Sequence, residues 1–223
     1  MVRRGSAKPL YAGSIPAQAS GLLPGWRNGI RRGLKILDPK GFVGPNPTPG
    51  TNDMKTILTI RDKDFGLDFP DPPVYQERGA ARAVVFDGDR KIALLHVTKL
   101  SYHKLPGGGI EKGESTEDAL RREISEEIGC SIVNVRELGI VEEFRNKFSL
   151  HQLSYCFFAD LDGEKGVPHL EQDEIADGFE TVWLSIKDAI TILESETGVE
   201  DYEGKFIQMR DLSVLRQVNE LPA

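Results

Sequence analysis

The apolar patterning of this 223-residue chain predicts a mixed α/β fold. Three observations carry that prediction. Short β-rich runs interleave with segments of helical period, the helices have recognisable starts and stops, and no dinucleotide-binding repeat accompanies the strands.

In chain order, "KTILTI" (55–60) reads as a short strand. Residues 61–78 are polar and carry Pro70, Pro72 and Pro73, which predicts a loop. "AARAVVF" (80–86) and "KIALLHVT" (91–98) read as strands joined into a hairpin by Asp87-Gly88-Asp89-Arg90. Gly107–Gly109 form a glycine loop, and a helix is expected from about Ser115 to Ile128. Ser115 or Thr116 caps it, Glu117 and Asp118 suit its positive end, and Gly129 stops it. Two longer strands follow, near 132–145 and 149–161, with Leu153, Tyr155, Phe157 and Ala159 on one face at period two. Residues 162–178 read as an acidic loop and "ETVWLS" (180–185) as a further strand. Ser185 opens a helix through Ile186, Ala189, Ile190 and Leu193; Phe206, Met209, Leu212, Leu215 and Val218 mark a terminal helix.

Composition narrows the class. With 39% hydrophobic and 28% charged residues the chain is of ordinary globular make-up. Cys130 and Cys156 form no C-x-x-C pair and are too few for a disulfide framework, so a cytoplasmic setting is expected. No apolar run reaches the roughly 18–20 residues of a membrane span. The net charge of −7 hides a split: residues 1–53 carry eight Lys/Arg against two Asp/Glu, and residues 54–223 carry 20 against 33. The first stretch also holds nine of the 23 glycines and seven of the 13 prolines, a composition that packs no core. Its "AGSIPA" back-translates into the T-arm sequence of a transfer-RNA gene, and "WRNGIRRGLKIL" resembles the translation of a second such gene. A disordered basic extension over 1–53, read as spurious upstream translation, is therefore expected before a folded domain at 54–223. That domain's negative balance argues against stable nucleic-acid binding; a homodimer stays open.

The chemistry concentrates behind the glycine loop. On the helix 115–128, Glu123, Glu126 and Glu127 fall at i, i+3 and i+4 and so point the same way. Leu120, Ile124 and Ile128 form an adjacent stripe suited to the core. Three converging carboxylates repel one another, and a divalent cation would supply the missing positive charge; hard oxygen ligands favour Mg²⁺ or Mn²⁺. Glycines at 107–109 let a ligand approach the backbone, where a carbonyl can join a metal shell and the N–H groups of Gly108 and Gly109 can meet an anionic oxygen.

The spacing Gly108, five residues, Glu114, seven residues, Arg122-Glu123-Ile124, one residue, Glu126-Glu127, one residue, Gly129-Cys130 resembles the Nudix box of the Nudix hydrolases at every position. With its flanking strands the resemblance covers about residues 79–195. It implies an α/β/α sandwich around a mixed sheet and a metal-dependent hydrolase acting on phosphoric anhydride bonds. It further implies that Glu126 and Glu127 are metal ligands, with Glu123 a further ligand or a base acting through water. Arg122 would orient the glutamates, Glu114 would hold that arginine, and the Gly107 carbonyl, or next Gly108, would complete the shell. An extra acid from the 162–178 loop is implied as well. Glu174 suits it best among Glu171, Asp173 and Glu174, and Glu142 and Glu143 suit it less well.

Other residues have plainer alternatives. His103 and Lys104 precede the glycines and could touch a phosphate or base, or stand at a solvated strand end. Tyr102 could stack on a base. His96, His151 and His169 show no metal spacing, Cys130 and Cys156 look like core thiols, and Trp183 looks like packing. The expected reaction is hydrolysis of a nucleoside diphosphate linked to X, first a (deoxy)nucleoside triphosphate. ADP-ribose, nucleotide sugars, dinucleoside polyphosphates and RNA ends are alternative substrates, and a non-catalytic nucleotide-binding module is the alternative of another class.

Overall fold

The computed structural model describes residues 54–196, 199 and 201–221; the expectation for 1–53 lies outside these. Eight strands form one mixed sheet: β1 (Thr56–Arg61), β2 (Gln76–Phe86), β3 (Lys91–Val97), β4 (Tyr102–Lys104), β5 (Gly107–Gly109), β6 (Ser131–Arg145), β7 (Leu150–Asp162) and β8 (Phe179–Ser185). The helices are α1 (Thr116–Ile128), α2 (Gln172–Asp177), α3 (Ile186–Ser195) and α4 (Tyr202–Asn219). The strand order is β1-β6-β7-β2-β3-β4, with β5 also on β2 and β8 also on β3. β1 runs parallel to β6 and β2 parallel to β7; the other pairings are antiparallel.

Alternation along the strands sorts side chains into two cores. Ala81, Ala83, Val85, Ala93, Leu95, Phe157 and Ala159 meet Leu120, Ile124 and Ile128 of α1 on one face. Val84, Phe86, Ile92, Leu94 and Cys156 meet Ala189 and Leu193 of α3 and Phe206, Val214 and Leu215 of α4 on the other. A sheet covered on both faces explains why β2 and β3 read as nearly unbroken apolar runs. The result is the expected α/β/α sandwich.

Three segments differ from the sequence reading. β2 starts at Gln76, inside the expected loop 61–78, because its first residues pair with Leu150 and its neighbours on β7. Gly107–Gly109 are a strand: Ala80, Ala81 and Arg82 of β2 pair with Gly109, Gly108 and Gly107. The acidic stretch 162–178 contains α2, started by a reciprocal cap between Glu171 and Glu174 and ended at Gly178 in the left-handed region. The remaining helix limits match closely, with Ser115 accepting from the Asp118 N–H and Gly129 at φ 67°.

The sheet opens where the site lies. β2 and β3 pair at Phe86 and Ile92; farther along, β2 takes β5 as its partner while β3 takes β4. The glycine strand is thus wedged into the gap. At Gly107 (φ 132°) an added Cβ would sit 2.2 Å from the Ala81 carbonyl oxygen, so no other residue fits without moving the strand.

Candidate active site

A cleft of about 130 Å³ opens at this gap. Its wall includes Tyr102, Lys104, Gly107, Gly108, Gly109, Glu123, Glu127 and Glu174, bringing together residues from β4, β5, α1 and α2. A larger groove of about 900 Å³ runs along β1, α3 and α4, but it lacks the α1 glutamates and is lined by Ile57, Met209 and Leu212 among others. The smaller cleft, which holds the α1 glutamates, is therefore the candidate site.

The α1 carboxylates are held in two ways. Arg122 is the hub of the first. Its Nε and Nη2 grip both oxygens of Glu114 at 2.9 Å, its Nη1 reaches Glu123 at 2.7 Å and Glu126 at 3.2 Å, and Nη2 also donates to the Gly109 carbonyl at 2.9 Å. These contacts, with those to Glu114 foremost, raise the guanidinium's pKa further above its already high ordinary value. One planar fork so ties the glycine strand, the loop after it and two turns of α1.

Glu127 belongs to the second. Its Oε1 accepts from Lys104 Nζ at 2.9 Å and its Oε2 from the Gly107 N–H at 2.5 Å. Burial, joined by the nearby Glu123 charge, raises its pKa to about 7 against the pull of Lys104 and Gly107. A Cβ on Gly108 would lie 2.5 Å from both Glu123 oxygens, so glycine lets the backbone rest directly on that carboxylate.

These observations test the fit of a divalent cation. Glu123 and Glu127 are buried oxygen donors facing one cleft, and burial, then the Glu123 charge, raises the Glu127 carboxyl despite Lys104. Such a donor set suits a hard cation. Among the described residues no three His, Cys, Asp or Glu side chains converge into a ready cage. Glu126 is turned to Arg122, and the Gly107 carbonyl accepts from Arg82 Nη1 at 2.7 Å.

The other expected residues fall into place by strand alternation. Tyr102 and Lys104 share the cleft side of β4, whereas His103 points away, bonded through Nδ1 to Glu196 at 2.5 Å and stacked on His96. Tyr102 is nearly buried among Val97, Val199 and Ile207, which leaves little ring face for a base. Glu174 lines the cleft while its Oε2 accepts from the Glu171 N–H at 2.7 Å, and Glu171 lines it too. Glu142 bonds Thr59 and His151 instead. Glu143 is fully buried beneath the cleft with Arg145 and Arg210. Cys130 and Cys156 are buried, and Trp183 packs on the α1-side core under Lys165.

Sequence reasoning missed the arginines of the cleft, Arg78, Arg82, Arg145 and Arg210. Two of them stood in "ERGAARAVVF", four residues apart on one face of a strand otherwise built for burial.

The chain is similar to several known proteins. The chain is 32% identical over 104 residues to a Bacillus subtilis protein called a putative 8-oxo-dGTP diphosphatase, a match that covers 47% of this chain and 62% of that protein. It is 30% identical over 129 residues to diphosphoinositol polyphosphate phosphohydrolase 3-alpha of Mus musculus, covering 56% of this chain and 73% of the relative. A solved MutT NUDIX hydrolase from Burkholderia pseudomallei superposes at TM-score 0.44 with 20% identity, over 60% of this chain and 97% of that one. The family model described as NUDIX domain matches residues 76–208, well over half of the chain, and the chain belongs to that family.

Proposed function

We propose that this protein is a divalent-metal-dependent pyrophosphohydrolase that cleaves a nucleoside diphosphate linked to X, with a (deoxy)nucleoside triphosphate, giving monophosphate and pyrophosphate, as the first substrate. The observation that carries the reading is the meeting of Glu123, Glu127 and Lys104 against the side-chain-free strand Gly107–Gly109 in one cleft. The Bacillus subtilis relative, called a putative 8-oxo-dGTP diphosphatase, is in keeping with the triphosphate.

Glu123, Glu126 and Glu127 are the residues that would hold Mg²⁺ or Mn²⁺, which when bound supplies Lewis-acid charge withdrawal from phosphate oxygens and a more acidic water. The chain's own groups do the rest. The glycine strand lets the anhydride approach the backbone, and Lys104 can turn from Glu127 towards a phosphate oxygen. Arg122 keeps Glu123 and Glu126 aimed. Glu123 or Glu174 accepts the proton of the attacking water as it adds to phosphorus and the bridging bond breaks. Positioning and charge neutralisation supply most of the acceleration in such a transfer.

The test is a panel of nucleoside triphosphates, ADP-ribose, nucleotide sugars and dinucleoside polyphosphates with Mg²⁺ or Mn²⁺, products resolved by chromatography. Glu127→Gln should lower the best turnover by at least about a thousandfold, roughly 4 kcal/mol of transition-state stabilisation. Normal turnover and metal dependence in that variant would remove the proposal.

A further inference from the structure

Glu123, Glu126 and Glu127 each already hold a cation of the chain itself, and the two cations involved are anchored very differently. Arg122 serves Glu123 and Glu126, while both oxygens of Glu114 and the Gly109 carbonyl fix it independently of them. Losing one carboxylate would leave Arg122 in place. Lys104 has no such second anchor. Among the described residues its ammonium makes one hydrogen bond, to Glu127 Oε1 at 2.9 Å, and it lies 4.5 Å from the centre of the Phe179 ring.

Glu127 is filled in turn, since Lys104 takes Oε1 and the Gly107 N–H takes Oε2. Its side chain is 2% exposed and that of Lys104 13%, so water does little to screen the pair. A dication delivered to Glu127 brings twice the charge of the ammonium to the same carboxylate, and the two compete there. The group that yields is the one with a flexible stem and a single bond. That group is Lys104.

We propose that Lys104 is the resident counter-ion of Glu127 and couples the two ligands of the cleft: a divalent cation taken up at Glu127 displaces it, and the released ammonium serves a phosphoryl oxygen of the substrate. Strand β4 keeps its stem beside the glycines, and Phe179 walls the cleft there. An ammonium so placed has lost its hydrogen-bonded anion while staying largely out of water, and a phosphoryl oxygen restores one. Metal and anionic substrate thus favour each other's binding, and the metal-free chain binds anions poorly because its lysine is engaged. The coupling rests on the metal-dependent reading above, but it is measured without turnover, so the two can fail separately.

In the full chain, Mn²⁺ binding is followed by the paramagnetic resonance of the free ion, and tripolyphosphate binding by calorimetry in EDTA. Lys104→Met should bind Mn²⁺ at least about tenfold more tightly than wild type, its competitor being gone. Glu127→Gln should bind tripolyphosphate at least about fivefold more tightly than wild type, because Lys104 is freed. Combining Glu127→Gln with Lys104→Met should abolish that gain. A gain that persists reports only a lost negative charge and overturns the proposal, as does unchanged or weaker Mn²⁺ binding by a folded Lys104→Met. Wild type supplies a check that needs no folded methionine variant: the Lys104 ¹⁵Nζ resonance, assigned by its absence from Lys104→Arg, should move on adding Mg²⁺ alone. A resonance that stays fixed at saturating Mg²⁺ overturns the proposal as well. No metal binding by any of these proteins removes the coupling together with the metal-dependent reading. If the binding differences hold while wild type hydrolyses nothing in the panel, the hydrolase reading fails and the coupling stands.

Discussion

Two charged clusters meet at the glycine strand and are built on opposite plans. The first, Glu114, Arg122, Glu123 and Glu126, comes from one stretch of thirteen residues and lies at the protein's surface edge, with Arg122 and Glu126 partly exposed. The second, Arg82, Glu143, Arg145, Arg210 and Asp211, comes from three strands or helices far apart in sequence and is buried throughout. The first holds its charges together at modest cost, because water still reaches Arg122 and Glu126. The second has given up its hydration, so its members depend on one another for charge balance.

That contrast sets the expected size of each perturbation. The sharpest break is Glu143→Ala. Burial alone would raise this carboxyl, but Arg145 and Arg210 outweigh it and hold its pKa below the ordinary range. Removing the carboxylate strips Arg145 of its nearest counter-charge and leaves Arg210 with Asp211 alone in a dry interior, so unfolding free energy should fall by about 3–5 kcal/mol in a denaturant titration. A loss below about 1 kcal/mol would show that the buried cluster is no more interdependent than the exposed one.

Arg122→Lys probes the other plan. A lysine lacks the planar fork and cannot span all four acceptors, so metal-dependent activity should fall about 10–100-fold, or roughly 1.4–2.7 kcal/mol, while thermal stability changes little. Metal titration beside melting curves separates the two effects. A large stability loss with intact metal affinity would reverse the roles assigned to the clusters.

A third test is in pH. The folded-state pKa of Glu127, about 7, lies above its ordinary value of 4.5. The folded chain therefore keeps this proton where the unfolded chain has lost it. Metal-free stability should decline as pH rises from about 4.5 to 7 and level off beyond, a total fall of about 3 kcal/mol that Glu127→Gln should remove. Urea titrations across that range in EDTA provide the measurement. An unchanged slope in the variant would place the titration elsewhere.

How much was legible in advance follows the same division. The α1 cluster could be read because its geometry is the helix's own: residues three and four apart share a face, Ser115 caps and Gly129 terminates. Lys104 and Tyr102 followed from their place before the glycines, and strand alternation then separated them from His103. The Gly107–Gly109 strand was not legible as one, because its pairing partner lies some twenty-five residues upstream and triple glycine has no strand propensity. Helix α2 escaped because six residues are too few to show a period.

What the sequence determined by itself was therefore the set of local devices: helix limits, the α1 carboxylates and the arginine that gathers them, and the alternation that gives each strand two faces. Only the tertiary structure decided that β7 lies between β2 and β6, bringing Arg78 to Gln152 and Arg145 beside them. The physical reason is range. Caps and i, i+4 contacts are closed within a few residues of chain, whereas a buried charge cluster exists only once separate strands and a helix have excluded water from the same place.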